Sequence, residues 1–213
     1  MSSEHWDTVY GTKAETAVSW YQRDATSSLV VLDGCAVSAH ASVVDVGGGA
    51  SVLVDALLER GHTDVTVLDI SAAGIAHARA RLGDVGAGVH WLVDDVTGWT
   101  PGRTFDVWHD RAVFHFLTNG EDRRRYIERM RAALAMGGLV VMATFATDGP
   151  DTCSGLPVQR YDAESLHETL GEDLTVVLTN RHLHRTPWGT EQPFTWLALR
   201  APTRFVSPPF RTV

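Results

Sequence analysis

Residues 42–51 read Ser42-Val43-Val44-Asp45-Val46-Gly47-Gly48-Gly49-Ala50-Ser51. An apolar run that contains Asp45 leads into three consecutive glycines, and a helix-like segment follows. This order predicts a buried strand, a tight backbone turn and the start of a helix. Glycines at such a turn let a nucleotide-like ligand lie directly against the backbone. The stretch therefore predicts an α/β protein with a nucleotide-type site after its first strand.

Short apolar runs alternate with amphipathic segments along the rest of the chain. The predicted strands are 42–46, 65–69, 89–93, 105–109, 139–145, 174–178 and 194–200. The predicted helices between them are 51–60, 72–82, 121–135 and 163–170. This alternation is typical of a Rossmann-like, doubly wound and mostly parallel sheet. We expect seven strands, of which the last two form an antiparallel C-terminal hairpin.

The first forty residues differ from the rest, since they are polar with embedded aromatic side chains. These aromatic residues are Trp6, Tyr10, Trp20 and Tyr21. We expect residues 1–40 to form a helical, aromatic lid segment on a main domain at 41–205. A chain of 213 residues fits a single domain overall.

Charge and composition exclude several classes of partner. A net charge of −8 and a pI near 5.6 argue against nucleic-acid binding, because no broad basic face is implied. No apolar run approaches the roughly 20 residues that span a bilayer. With no signal peptide, Cys35 and Cys153 are expected to be free thiols. We therefore expect a cytoplasmic protein, either a monomer or a homodimer.

Acidic residues directly follow three later predicted strands. They are Asp69, the pair Asp94-Asp95, and Asp110 before Arg111. Open parallel sheets bind ligands at the carboxyl ends of their strands, so these residues are site candidates. Asp69 lies 20 residues after Gly49, a spacing at which a carboxylate accepts hydrogen bonds from ribose hydroxyls.

Two residues decide which nucleotide the site would hold. The dinucleotide fingerprint needs a third glycine where this chain has Val52, which weakens an NAD or FAD site. Asp45 would add negative charge beside a pyrophosphate, whereas it suits a ligand with a cationic amino group. A ligand with an ammonium, a ribose and an adenine is S-adenosylmethionine.

The order Asp45-x-Gly47-x-Gly49, then Asp69, then Asp95 resembles the class I S-adenosylmethionine-dependent methyltransferases. The resemblance implies that the backbone turn at Gly47 and Gly49 lies along the methionine portion of the cofactor, while Asp69 and the adjacent Ile70 hold the ribose. It also implies that Asp95 receives the adenine amino group and that Val96 supplies a backbone donor. Asp94 stays open as the alternative to Asp95.

The segment His109-Asp110-Arg111-Ala112 is similar to the Trp-Asp-Arg-Gly sequence of the thiopurine methyltransferase-like group. Ser19-Trp20-Tyr21 is similar to a motif of lysine methyltransferases that act on translation elongation factors. These resemblances imply that Trp20 and Asp110 belong to the cofactor site. They imply that Arg111 faces the acceptor and favours its anionic form. An aromatic face such as that of Trp20 also stabilises a sulfonium cation.

Histidines supply a second catalytic candidate and a question about metals. His115 lies four residues after Arg111, so one helical face could present both side chains. His115 is therefore a candidate general base, and the alternative is a histidine that is packed in the interior. His182 and His184 alternate along a predicted strand, but no third ligand has suitable spacing, and we predict no metal site.

We expect a methyltransferase that uses S-adenosylmethionine, releases S-adenosylhomocysteine and methylates a small-molecule acceptor. The methylated atom stays open among sulfur, selenium, nitrogen and oxygen. A protein lysine methyltransferase is the alternative, and an NAD-binding oxidoreductase is less favoured.

Overall fold

The structure is a computed structural model, and it describes residues 2–203. Residue 1 and residues 204–213 lie outside the described residues, and so does the end of the domain predicted at 41–205. No helix of the described part is long and apolar enough to cross a membrane.

Within residues 2–203, nine strands form two sheets. The strands are β1 (Val43–Val46), β2 (Val65–Asp69), β3 (His90–Val93), β4 (Phe105–Arg111), β5 (Leu134–Phe145), β6 (Thr152–Cys153), β7 (Leu156–Pro157), β8 (Thr175–Arg185) and β9 (Glu191–Arg200). The main sheet has seven strands in the order β3-β2-β1-β4-β5-β9-β8. Strands β1 to β5 run parallel, while β9 is antiparallel to both β5 and β8. Strands β6 and β7 form a separate short hairpin.

Six α-helices accompany the sheet in the described part of the chain. They are α1 (Ser3–Thr12), α2 (Thr26–Gly34), α3 (Leu53–Glu59), α4 (Ala72–Leu82), α5 (Gly120–Ala133) and α6 (Ala163–Leu170). Consecutive strand residues point to opposite faces, so that Val43 and Val44 enter different hydrophobic clusters. The first cluster contains apolar residues of α2, α3 and α4, and the second contains those of α5 and α6. The predicted doubly wound fold is confirmed.

Several element bounds differ from the prediction, and strand pairing accounts for the differences at the α5–β5 junction, in β4 and in β8. Helix α5 ends at Ala133 and β5 begins at Leu134, because Leu134 pairs with Phe105 before a register shift in the β4–β5 ladder. Strand β4 continues to Arg111, since it pairs with β5 over two more residues than predicted. Strand β8 continues to Arg185, where β9 still pairs with it.

Candidate active site

The cavity opens at the carboxyl ends of the parallel strands, beside the neighbouring strands β1 and β4. The chain leaves β1 and β4 toward opposite faces of the sheet, which creates a crevice between the loops that follow them. The first part of this cavity encloses about 680 Å³, including space open to solvent. It is lined by Trp6, Tyr10, Trp20, Val46, Gly47, Leu68, Asp69, Ile70, Asp94, Asp95, Val96, Arg111, Ala112, Val113, Phe116 and Cys153.

A second part of the cavity lies against β1 and α2. The two parts are adjacent, since they share the lining residues Tyr10, Trp20, Val46, Gly47 and Arg111. The second part is also lined by Val18, Tyr21, Gln22, Ser28, Asp45, Ala50, Ser51, Val52 and His109. We call the first part the adenosine end and the second part the methionine end, after the moieties that the resemblance in the sequence implies there.

The glycine turn after β1 forms the floor between the two ends. Gly47 has φ +69°, and a Cβ there would overlap the Cγ2 atom of Val113. A Cβ on Gly48 would lie 2.6 Å from Asp45 Oδ2 and 2.7 Å from Val67 Cγ1. Both positions therefore require glycine, one for its conformation and one for the close approach of a carboxylate.

Asp69 ends β2 and is buried below the adenosine end. Its Oδ1 accepts a hydrogen bond from the Ser71 N–H at 2.7 Å, and the Gly49 N–H also bonds to the carboxylate. Burial raises the pKa of Asp69 to about 7, and the charges of Asp45 and Asp7 add to this rise. Gly49 does not line the cavity, and its contribution is the hydrogen bond from its N–H to the Asp69 carboxylate. A hydroxyl pair from a ribose would supply the donors that a buried carboxylate needs.

The residues after β3 complete the adenosine end. Asp94 Oδ1 accepts a hydrogen bond from the Asp95 N–H at 2.8 Å. Asp95 Oδ1 accepts from the Thr97 N–H at 2.9 Å and from the Thr97 hydroxyl at 2.8 Å. Asp94, Asp95 and the buried Val96 all line the cavity, so the structure brings together both carboxylates that the sequence left open.

Aromatic rings form the roof of the cavity. Trp6 and Trp20 meet edge to face at 5.6 Å between ring centroids, and Trp6 meets Phe116 at 5.2 Å. Tyr10 lies 6.3 Å from Trp20. Helix α1, which carries Trp6 and Tyr10, is attached to α4 by Asp7. The Asp7 carboxylate accepts from the Ser71 hydroxyl at 2.6 Å and from the Ala73 N–H at 3.1 Å, two bonds that lower its pKa.

Arg111 lies where the two ends of the cavity meet. Its Nη1 donates to the Trp20 carbonyl at 3.2 Å, and its guanidinium carbon lies 5.1 Å from the centre of the Phe194 ring. Its Nη2 is buried and has no hydrogen-bond partner among the described residues. Burial lowers the pKa of Arg111 to about 10, although the Cys153 thiol and Asp45 oppose this effect. The guanidinium therefore remains a cation at neutral pH.

The histidines near Arg111 are poor proton carriers. Burial, together with the Arg111 charge, lowers the pKa of His115 to about 3 and that of His184 to about 4. The pKa of His182 is also lowered, for the same two reasons. His115 does not line the cavity, and its Nδ1 accepts a hydrogen bond from the Phe145 N–H at 3.3 Å. Within residues 2–203, no group of His, Cys, Asp and Glu is arranged to hold a metal ion.

Asp110 is directed away from the cavity. As a neighbour of His109 and Arg111 on β4, it points to the opposite face of the sheet. Its carboxylate accepts from the N–H groups of Val113 and Phe114 and from the Tyr126 hydroxyl. The structure therefore does not bring Asp110 together with the other predicted cofactor residues.

Several cavity-lining residues were not predicted as site residues. Among them, Phe116 and Cys153 line the adenosine end, and Ser28 and His109 line the methionine end. Cys153 reaches the site from the β6–β7 hairpin, and burial raises the pKa of its thiol to about 11. The loop that contains Cys153 follows a predicted strand, which is a signal for the site, whereas nothing local in the sequence indicated Ser28.

Comparisons with known proteins agree with this geometry. Residues 43–138 match a family model described as a methyltransferase domain. A search of the curated proteins finds no match.

Solved structures share the fold across nearly the whole chain. A protein studied for the conversion of a disulfide bond into a thioacetal group during echinomycin biosynthesis has a TM-score of 0.76 at 20% identity, over 95% of this chain and 94% of that one. The N-methyltransferase NodS from Bradyrhizobium japonicum WM9, in complex with S-adenosyl-L-homocysteine, has a TM-score of 0.69 at 16% identity, over 95% and 100%. A 1,6-didemethyltoxoflavin-N1-methyltransferase from Burkholderia thailandensis has a TM-score of 0.69 at 19% identity, over 94% and 87%.

The fold places the cavity at the carboxyl ends of a doubly wound sheet. The match of residues 43–138 to a methyltransferase domain indicates a methyltransferase that uses S-adenosylmethionine, and the solved structures share its fold. The cavity fits this cofactor, because Asp45 Oδ2 is a buried oxygen without a partner in the described chain and suits an ammonium group. The NAD alternative is thereby set aside.

Proposed function

We propose that the protein transfers the methyl group of S-adenosylmethionine to a small acceptor that reacts as an anion. The observation that carries this proposal is one incompletely bonded cation in a cavity whose other charged side chains are carboxylates. Arg111 lines both parts of the cavity, its Nη2 is buried without a hydrogen-bond partner among the described residues, and its guanidinium lies over the Phe194 ring. This role of Arg111 follows the pattern of the thiopurine methyltransferase-like group.

The cofactor residues divide between its two moieties. Asp69, with Ile70 beside it, holds the ribose, and Asp95 receives the adenine amino group while Val96 offers its backbone N–H. Asp45 receives the methionine ammonium above the Gly47–Gly48 turn. Trp20 presents an aromatic face to the sulfonium. We assign Asp110 a positioning role, because its bonds to Val113 and Phe114 hold the segment that follows Arg111.

The chemical step needs little from the protein beyond alignment and dryness. When bound, S-adenosylmethionine would supply an electrophilic methyl group for bonding to the acceptor lone pair, and the electrons of the broken carbon–sulfur bond would remain on the sulfur of S-adenosylhomocysteine. Trp6 and Trp20 exclude water from the cavity. Arg111 stabilises the ionised acceptor, since a cation in a dry site lowers the pKa of a nearby thiol or phenol. His115, with its pKa of about 3, is a weak base and is assigned a packing role.

Small-molecule chemistry suits this site better than the lysine alternative. A lysine side chain would bring its cation beside the guanidinium of Arg111, whose Nη2 has no hydrogen-bond partner among the described residues, and like charges in a cavity of low dielectric repel each other. The structural relatives point the same way, since two are described by N-methylation or by a toxoflavin precursor.

Calorimetry followed by turnover assays tests the proposal. S-adenosylmethionine and S-adenosylhomocysteine should bind, while NAD should not. Methyl transfer should then be detected to 4-nitrothiophenol or 4-nitrophenol but not to a lysine-containing peptide. If neither cofactor form binds, or if the peptide is the preferred acceptor, the proposal is wrong.

The variant Arg111→Gln separates the two sides of the cavity. We expect turnover to fall by about 10- to 100-fold, while the S-adenosylhomocysteine affinity changes by less than about threefold. Arg103→Gln is the matched control, because Arg103 also lies over a phenylalanine ring, that of Phe105, but does not line the cavity. If the S-adenosylhomocysteine affinity falls in Arg111→Gln but not in Arg103→Gln, Arg111 binds the methionine carboxylate instead of the acceptor.

A further inference from the structure

Three buried polar side chains form a hydrogen-bonded chain at the methionine end of the cavity. The Ser28 hydroxyl lies 3.0 Å from His109 Nε2, and His109 Nδ1 lies 2.7 Å from Asp45 Oδ1. Each of the three residues is only 2% exposed, and all three line the cavity. A buried polar chain of this kind is costly unless every member is satisfied.

The sheet register brings Asp45 and His109 together. Strands β1 and β4 pair in parallel, with Asp45 directly opposite His109, so that both side chains project from the same face. Helix α2 packs on that face and supplies Ser28 from its first turn. The chain thus joins three separate segments at one point.

The bonds also define where the protons lie. An ionised carboxylate can only accept, so His109 Nδ1 donates to Asp45 Oδ1. In the neutral imidazole, Nε2 then accepts from the Ser28 hydroxyl, and this bond favours the tautomer with its proton on Nδ1. One oxygen of Asp45 is thereby fixed in place.

The other oxygen of Asp45 has a different environment. Oδ2 is buried without a hydrogen-bond partner among the described residues, and it is directed at Gly48, where a Cβ would lie 2.6 Å away. Leaving a carboxylate oxygen buried and unbonded is unfavourable, and a cationic ligand group would remove that penalty. The absence of a side chain on Gly48 keeps the approach to Oδ2 open.

We propose that His109 is a positioning residue that holds Asp45 with its Oδ2 atom toward the ammonium of the cofactor, and that Ser28 holds His109. The proposal rests on the proposed cofactor site. It predicts that His109 acts on the amino-acid end of the ligand and has no effect on the adenosine end.

Two ligands test this distinction. S-adenosylhomocysteine carries the ammonium, whereas 5′-methylthioadenosine keeps the adenosine and lacks the amino-acid group. In His109→Leu, we expect the affinity for S-adenosylhomocysteine to fall by about tenfold or more and that for 5′-methylthioadenosine to change by less than about twofold. His109→Asn should restore most of the loss, since its amide nitrogen can donate to Asp45 from nearly the position of Nδ1.

Ser28→Ala is the milder variant and guards against a failure of His109→Leu to fold. It should lower only the affinity for S-adenosylhomocysteine, by about two- to fivefold. His62→Asn is the matched control, because His62 is a buried histidine that does not line the cavity. Imidazole ¹⁵N spectra of the unliganded protein should contain a ring protonated on Nδ1 whose signals disappear in His109→Asn.

The outcomes separate the inference from the proposed function. If the native protein binds neither ligand, the cofactor site itself is wrong. If the native protein binds both ligands, three results would overturn the inference. In His109→Leu, the affinities for the two ligands could fall equally. The affinity for S-adenosylhomocysteine could stay unchanged in Ser28→Ala and His109→Leu, or the His109 ring could carry its proton on Nε2.

Discussion

The two sides of the cavity use opposite chemistry. On the proposed cofactor side, carboxylates lie within or just after the carboxyl ends of the parallel strands β1, β2 and β3, as Asp45, Asp69 and Asp95 do. On the proposed acceptor side, Arg111 is a half-buried cation, and the pKa values of His115 and His184 are lowered. The first side suits a ligand with a sulfonium and an ammonium, and the second suits an anion. The difference shows how one short cavity could bind two reactants of opposite charge, each at its own site.

The largest effect is expected from Asp69→Ala. Two ribose hydroxyls lose a charged acceptor, so we expect the S-adenosylhomocysteine affinity to fall by about 100-fold in calorimetry. Asp84→Ala, an acidic residue outside the cavity, is the control. If the affinity is unchanged in Asp69→Ala, the ribose does not bind at this strand end, and the proposed contrast between the two sides of the cavity is wrong.

The contrast also explains how much of the site the sequence could predict. Acidic residues placed at strand ends are local features, and the carboxyl ends of parallel strands meet at one edge. Arg111 could be named from the same pattern, but its surroundings could not. Trp20, Cys153 and Phe194 reach it from three distant segments, and only tertiary packing brings them together.

Strand parity and pairing account for the remaining differences. Asp110 and Arg111 are neighbours on β4, but successive side chains alternate between faces, so Asp110 bonds to Tyr126 while Arg111 lines the cavity. The predicted strand at 174–178 extends to Arg185 as β8, although residues 179–183 are polar or exposed. Backbone pairing with β9 stabilises this edge strand, and an apolar pattern cannot reveal such pairing.

The effect of pH on cofactor affinity sharpens the comparison further. Burial raises the pKa of Asp69 from 3.8 to about 7, so the carboxylate is ionised above pH 7 and protonated below it. Because the ribose hydroxyls donate to the ionised form, the affinity for S-adenosylhomocysteine should fall by up to about tenfold per pH unit below 7. Asp69→Asn should flatten this dependence in titrations between pH 6 and pH 8, and a flat native profile would contradict it.

The same shift has the opposite consequence for the free protein. A carboxyl whose folded pKa lies above its unfolded value stabilises the fold at low pH and loses that contribution as pH rises through about 7. Asp69→Asn should therefore raise the melting temperature of the ligand-free protein at pH 8 while it weakens cofactor binding. A lower melting temperature in that variant would show that Asp69 is a structural acceptor.

The smallest effect is expected from Asp7, which attaches the aromatic roof to the cofactor side. Asp7→Asn weakens the two bonds to Ser71 and Ala73, so helix α1 should detach more often. Lys13, the only lysine of the chain, follows α1 and gives the protease Lys-C a single site that reports this opening. We expect cleavage about two- to fivefold faster than in the native protein and slower in both when S-adenosylhomocysteine is bound.

Asp33→Asn, which breaks an exposed ion pair with Arg60 outside the cavity, should leave the rate unchanged. Equal cleavage rates in Asp7→Asn and the native protein would mean that the roof is held by its aromatic contacts alone, and that the two sides of the cavity close independently of Asp7.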